Sequence, residues 1–437
     1  MNTTPWIVRG ARRRWPALAL SLCVPALAAT PLSLHAAAPP APVTVPPAQM
    51  AASPPLSLRQ AVDAALARLP ESVAAPERRQ AAQAQLRAAG HWTPEPASLE
   101  LSFKSDRAQS NRGEREVVAG IAAPLWLPGE RERTRALAES EQRAVDSRLD
   151  AAQWRAVAAV REAWWAVHAA DQTLNVVQAR LAQAGQLADD VAKRVRAGDL
   201  ARADQHQADG LRATAEAEIA QARSTRARAA QVLRALTGTP VPTLSEAPEP
   251  LPQRDTEAAL AAHPVLRELA AKAEVARHAR ELAGVQTRAN PELTLATSRE
   301  RGGTGEAYGQ SLTVGLRIPF GSSDRHAARL GAASAEQTEA EIQLALERER
   351  VVGEIASAQQ QVTLAGLARD AADRRAVLSR ETLGFYEKSF RLGETDLPNR
   401  LRVALEVFEA EQQSAAAHVA LAQAVSQWRQ ALGLLPE

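Results

Sequence analysis

Between Ser311 and Ile318 the chain alternates strictly: Leu312, Val314, Leu316 and Ile318 are apolar, while Ser311, Thr313, Gly315 and Arg317 are small or polar. A period of two places the sets on opposite faces of a β-strand. Leu293 and Leu295 predict its partner, and Leu99, Leu101 and Phe103 with Val117, Ala119 and Ile121 predict a second strand pair. Polar, Gly-bearing stretches at Lys104–Arg115 and Arg299–Ala307 read as the hairpin loops. After Pro124 and again after Pro319 the pattern changes to Ala, Glu, Gln, Arg and Leu, with hardly a helix breaker for about 65 residues, a rod of roughly 100 Å. Val160, Val167, Leu174 and Leu181 recur every seventh position, a seam suited to coiled-coil contacts, and its Ala-rich surroundings predict closely spaced helices.

These patterns occur twice. Pro96 and Pro291, Pro124 and Pro319, Gly198 and Gly393, and Gly238 and Gly433 each stand 195 positions apart. A constant offset over turn-like markers indicates a duplicated supersecondary unit too long for a solenoid repeat. The repeats run over 56–238 and 253–437. Each predicts one helix, two strands, a very long helix, a Gly-containing turn and another helix. The Pro-rich stretches 39–55 and 239–252 read as linkers, since proline fits neither a helix interior nor a sheet interior. The fold class expected is mainly α with a small β part.

The first 38 residues have the layout of a secretory signal: Arg9, Arg12, Arg13 and Arg14, an apolar stretch from Trp15 to Ala29, then small residues. Cleavage is expected after Ala38, with Ala28 as the alternative. A membrane anchor is the weaker reading, because Pro16 and Pro25 interrupt the run and it is short for a span. Cys23 is the sole cysteine, so disulfides do not hold the exported chain together. Leu22 is bulky where a lipidation site needs a small residue. The balance of 52 basic against 50 acidic residues argues against a nucleic-acid partner.

No candidate catalytic, cofactor or metal site emerges. The eight histidines are scattered, none three to five residues from another, and are read as helix-surface residues. Gly302-Gly303-Thr304-Gly305 falls in a hairpin loop, where glycine supplies turn conformations. Trp164 and Trp165 are read as helix-contact residues. Gly198 and Gly393 each follow a long helix, where a left-handed glycine ends the helix and reverses the chain.

The four strands have the length that spans an outer membrane when tilted. Four strands leave open edges that lipid cannot satisfy, so several chains must pool strands into one closed barrel. On Leu58-Arg59-Gln60-Ala61-Val62, the strand starts at Pro94 and Pro291, the joint Ala123-Pro124-Leu125-Trp126-Leu127-Pro128-Gly129-Glu130-Arg131 and the paired turns at Arg196–Leu200 and Arg391–Leu397, the chain resembles the TolC-type outer membrane efflux channels, more narrowly their heavy-metal (cobalt–zinc–cadmium) branch.

The resemblance implies a homotrimer with a twelve-stranded membrane β-barrel and a long coiled-coil α-helical barrel. It would stand in the outer membrane of a Gram-negative bacterium and extend into the periplasm. Its partners would be outer membrane lipid, a periplasmic adaptor and an inner-membrane pump, and it would catalyse nothing. Val195, Arg196, Gly198, Asp199 and Leu200, with Phe390, Arg391, Gly393, Glu394 and Leu397, would be the adaptor-contact tips. Relatives place acidic residues beyond the second tip, where this chain has Asn399 and Arg402. The matching position in the first repeat is Asp204, an aperture candidate whose alternative is a solvated helix charge. Trp126 and Phe320 fit an aromatic girdle at the lipid boundary, with core packing at the joint as the alternative. The rival classes are a periplasmic adaptor and a coiled-coil scaffold without a pore.

Overall fold

The computed structural model describes residues 55–436 apart from 109, 241–243, 246–247, 254 and 322. The expected signal sequence and cleavage site, Cys23 and all but the last residue of the first Pro-rich stretch lie outside the described residues.

The chain opens with α1 (Leu58–Arg68), α2 (Pro70–Val73) and α3 (Ala75–Ala89). Ser57 caps α1: its Oγ accepts the Gln60 N–H at 3.2 Å, and the Gln60 side chain accepts the Ser57 N–H at 3.1 Å. The expected single helix is therefore in pieces. Leu69 is extended (φ −63°, ψ 123°) because the ring of Pro70 disfavours helical geometry in the residue before it. The second repeat breaks the same way, with α6 (Thr256–Ala262), an extended His263 at identical angles, and α7 (Pro264–Val285).

The strands are β1 (Ser98–Ser105), β2 (Arg115–Pro124), β3 (Glu292–Arg301) and β4 (Gly309–Arg317), in one antiparallel sheet of order β1-β2-β3-β4. Each hairpin feeds a long rod, α4 (Glu130–Ala197, 68 residues) or α8 (Ser323–Arg391, 69 residues). After a reversal come α5 (Arg202–Thr237) and α9 (Leu397–Ala431). Along α4, α3 packs on the half nearer the sheet, where Arg79 meets Asp146, and α5 on the half nearer the reversal, where Glu218 meets Arg180; α7 and α9 do the same for α8, through Lys272 with Gln343 and Glu411 with Arg380. The two repeats join where α4 also packs against α7 and α9.

Seven-residue spacing holds along α4, but the most buried row runs through Ala163, Ala170, Val177, Ala184 and Val191. Val160 and Val167 are buried as expected, while Leu174 and Leu181 are half-buried. An α-helix drifts against a strict seven-residue repeat, and α4 serves neighbours on two sides, so two seams share it. Across from it, Ala208, Ala215 and Ala222 of α5 are buried at the same spacing, and alanine on both helices lets the backbones approach.

The repeats are cross-tied at mid-rod. Ser245 donates its N–H to Leu56 O at 2.9 Å. Glu249 enters between α4 and α9, accepting from Arg161 Nη2 at 2.7 Å and standing 3.2 Å from Arg429 Nε. All three side chains are at most 7% exposed. Through Ser245 and Glu249 the segment between the repeats acts as a strap. Trp154 donates its Nε1–H to Gln430 O, and the Gln430 side chain donates back to Trp154 O, both at 3.0 Å. Two histidines depart from the surface role expected of them. His168 is buried beside Trp164 and Trp165, with centroids 5.3 Å from each, and His263 lies edge-on to Trp154 at 5.0 Å. Burial lowers the His263 pKa, with Glu347 opposing the shift and Arg350 adding to it.

Candidate functional site

Three regions carry the expected functional residues: the sheet, its joints to the rods, and the reversals at the far end.

Across the sheet the register aligns Leu99, Ile121, Leu295 and Val314 in one row and Leu101, Ala119, Thr297 and Leu312 in the next on that face. The opposite face carries Glu100, Gly120, Ala296 and Thr313, then Ser102, Val118, Ser298 and Ser311. The apolar face is uncovered: Leu99, Leu101, Phe103, Leu312 and Val314 are each 68–71% exposed. Water does not tolerate so large an apolar patch without something to cover it. Among the described residues no helix is long and apolar enough to cross a membrane.

At the first joint the buried carboxylate of Glu130 gathers three donors: the Leu127 N–H at 2.9 Å, Gln286 Nε2 at 2.8 Å and Asn290 Nδ2 at 2.6 Å. Leu125 donates its N–H to Pro291 O at 2.7 Å. Glu130 therefore ties the start of α4 to the entry of β3 in the other repeat. Trp126 is half-buried and donates its Nε1–H to His91 O at 3.2 Å, while Arg131 donates to Gly90 O at 2.6 Å. That bond makes Trp126 a brace for the segment entering β1. Phe320 at the matching joint is 94% exposed, and so, at 90%, is Trp92, which the sequence reading passed over. The signal for Trp92 was available: an indole between the end of a helix and the first strand.

At the reversals Gly198 (φ 87°) and Gly393 (φ 78°) are left-handed, as glycine alone tolerates easily. The closures match: Asp199 donates its N–H to Arg194 O at 2.9 Å and Glu394 to Ser389 O at 3.0 Å. Arg196, Gly198, Asp199, Arg391, Gly393 and Glu394 are exposed, and Val195 and Leu200 half-buried. Phe390 and Leu397 lie inside, packed with Leu187, Ala188, Val191 and Ala208 of the other repeat. The Phe390 ring is flanked by the guanidinium groups of Arg194 at 5.0 Å and Arg400 at 5.1 Å. These two residues join the reversals to one another. The exposed apolar residue at the second apex is Leu392, which periodicity could not single out.

The aperture candidates are locally engaged. Asp204 is half-buried and its carboxylate accepts the Ala201 N–H at 3.0 Å, closing the first turn of α5. Asn399 donates its N–H to the capping carboxylate of Asp396 at 3.1 Å, and Arg402 pairs with Glu406 one turn on. Among the described residues no three His, Cys, Asp or Glu side chains are grouped to hold a metal ion.

Residues 61–239 match the family model described as outer membrane efflux protein. No curated protein sequence matches the chain. Among solved structures it is similar to the Campylobacter jejuni CmeC outer membrane channel, with 16% identity over 86% of this chain and 85% of that one and a TM-score of 0.70. It is similar to the outer membrane protein VceC of Vibrio cholerae, with 18% identity, 87% and 97% covered, and a TM-score of 0.70. It is also similar to CusC, with 17% identity, 86% and 92% covered, and a TM-score of 0.73. The chain therefore matches the outer membrane efflux protein family over residues 61–239, and across 86% of its length it has the fold of TolC-type outer membrane channels.

Proposed function

We propose that this chain is one subunit of a homotrimeric outer membrane export duct in a Gram-negative bacterium, reaching through the periplasm to an adaptor and an inner-membrane pump. The observation that carries this reading is the sheet: one face apolar and exposed, the other polar, both edges open, and two rods of about 100 Å leaving the same end. Such a sheet is stable in lipid only when further copies supply strands to its edges. The duct is passive, and Asp204 is its candidate constriction. The cargo is read as heavy-metal cations, on the resemblance of the joint and tip residues to that branch.

Membrane fractionation and cross-linked mass test the duct. The protein should require detergent for extraction from the outer membrane and run as a trimer, and a soluble periplasmic monomer would sink the reading. Loss of the gene should lower tolerance of cobalt, zinc or cadmium; unchanged tolerance of all three removes the cargo assignment while leaving the duct.

A further inference from the structure

The face of the sheet that carries Leu99, Leu101 and Leu312 does not stay apolar to its end. Towards the hairpin loops its next row is Phe103, Val117, Arg299 and Gln310, and the last sets Ser105, Arg115 and Arg301 side by side. Arg115 and Arg301 are direct cross-strand partners, with Arg299 one row below. The alternation of Arg115-Glu116 on β2 and Arg299-Glu300-Arg301 on β3 turns each of these arginines to the apolar face and each glutamate to the other.

The two faces differ in how their charges are met. On the polar face Glu116 and Glu300 also stand opposite each other, but Lys104 is the cross-strand neighbour of Glu116 and brings a cation into the row. On the apolar face the row has no acid. Arg299 and Arg301 lie against the ring of Tyr308, at 4.7 and 5.2 Å from its centroid, and Arg301 Nε donates to Gly113 O at 3.0 Å. The acids of the nearby loops are engaged elsewhere: Glu114 pairs with Lys104 at 2.9 Å, Asp106 accepts the Arg112 and Gly113 N–H groups, and Glu306 accepts the Gly302 N–H. Like charges directly opposite one another destabilise a strand pair. Cations grouped in this way call for an anion from outside the chain.

We propose that Arg115, Arg299 and Arg301 form a docking surface for the phosphate groups of an outer-leaflet glycolipid, whose acyl chains lie along Phe103, Leu101 and Leu99 below. The inference rests on the duct proposed above, which sets the rods in the periplasm and so turns the hairpin loops outward. Height agrees with it. From Leu293 to Arg301 the strand climbs roughly 27 Å at about 3.4 Å per residue, or about 20 Å once tilted, so the arginines stand at the upper border of an apolar band about 25 Å tall. Guanidinium groups grip phosphate oxygens through paired N–H donors, which suits them to this ligand. The surface is also held in shape, because Thr304 donates its N–H to Arg112 O at 2.9 Å and ties the two hairpin loops together. β2 and β3 are the inner strands of the sheet, so strands added at its edges leave this face open to lipid. Continuity with the exposed leucines favours a lipid over free phosphate, which has no apolar part to bury there.

Native mass spectrometry of the full-chain trimer reads the site. The trimer incubated with bisphosphorylated lipid A should retain it, and should retain the dephosphorylated form of the same lipid several-fold less. Arg115→Gln, Arg299→Gln and Arg301→Gln should each lower the bound fraction several-fold, while Lys104→Gln on the polar face keeps it at the wild-type level. Equal retention of the two lipids by the wild-type protein overturns the phosphate site, whether or not the variants fold. An equal loss in Lys104→Gln overturns the choice of face. Displacement by equimolar inorganic phosphate shows a free-anion site and overturns the lipid assignment, and phosphatidylglycerol bound as well as lipid A overturns the choice of glycolipid. A trimer extracted from the outer membrane that binds none of these lipids overturns the inference and leaves the duct intact; a soluble periplasmic monomer overturns the duct itself.

Discussion

Glu249→Ala is expected to lower stability by about 3–5 kcal/mol, the cost of removing one partner from a buried ion pair. The carboxylate sits between Arg161 and Arg429, with Ser426 donating to it as well. The other partners of Arg161 do not replace it: Gln430 and Leu434 O accept its hydrogen bonds and carry no formal negative charge. Removing Glu249 therefore leaves the buried Arg161 cation without its carboxylate, where desolvation is severe. Glu249→Gln keeps the shape and some of the hydrogen bonds, so its loss should be smaller. The measurements are the thermal midpoint of the purified protein in detergent and protease cleavage within 239–252, which should become fast once the strap is released. A midpoint and a cleavage rate both equal to wild type would show that the strap does not tie the repeats together.

Gly198→Pro or Gly393→Pro is expected to abolish efflux with trimer and membrane insertion unchanged. Both glycines have positive φ, which proline cannot adopt, and both donate their N–H groups, to Val195 O and Phe390 O, each at 3.2 Å. The reversal must then reshape, carrying Arg196, Asp199, Arg391 and Glu394 with it. The sheet lies roughly 100 Å away along the rods, so its assembly should not register the change. Resistance assays at matched protein level, with trimer measured in parallel, read the outcome. Full resistance in both variants would remove the tips as the coupling surface; loss of the trimer would show that the tips also govern assembly.

Much of the fold was legible because its elements obey local rules. The alternation at Leu312, Val314, Leu316 and Ile318 falls on β4 and the residue after it, and breaker-free runs after Pro124 and Pro319 became rods of 68 and 69 residues. Gly198 and Gly393 ended them with left-handed angles. The opening helices were misread as continuous because an apolar period persists across Pro70, while the break depends on the conformation of the residue before it. Within the candidate site the exposed tip residues were readable from their turns, but the inward placement of Phe390 and Leu397 was not. It depends on helices from the other repeat, distant in sequence.

The sequence by itself determined the periodic elements, their duplication and their order, since spacing along one strand or helix decides which side chains share a face. Only the tertiary structure decided which polar groups are buried. Glu130, Arg161, Glu249 and Arg429 are ordinary charged residues in the sequence, and segments distant in sequence, two around Glu130 and three around the others, had to converge before any of them lost water. It also decided that Trp126 is a brace and Trp92 an exposed ring, because exposure depends on what packs alongside and leaves no mark on local pattern.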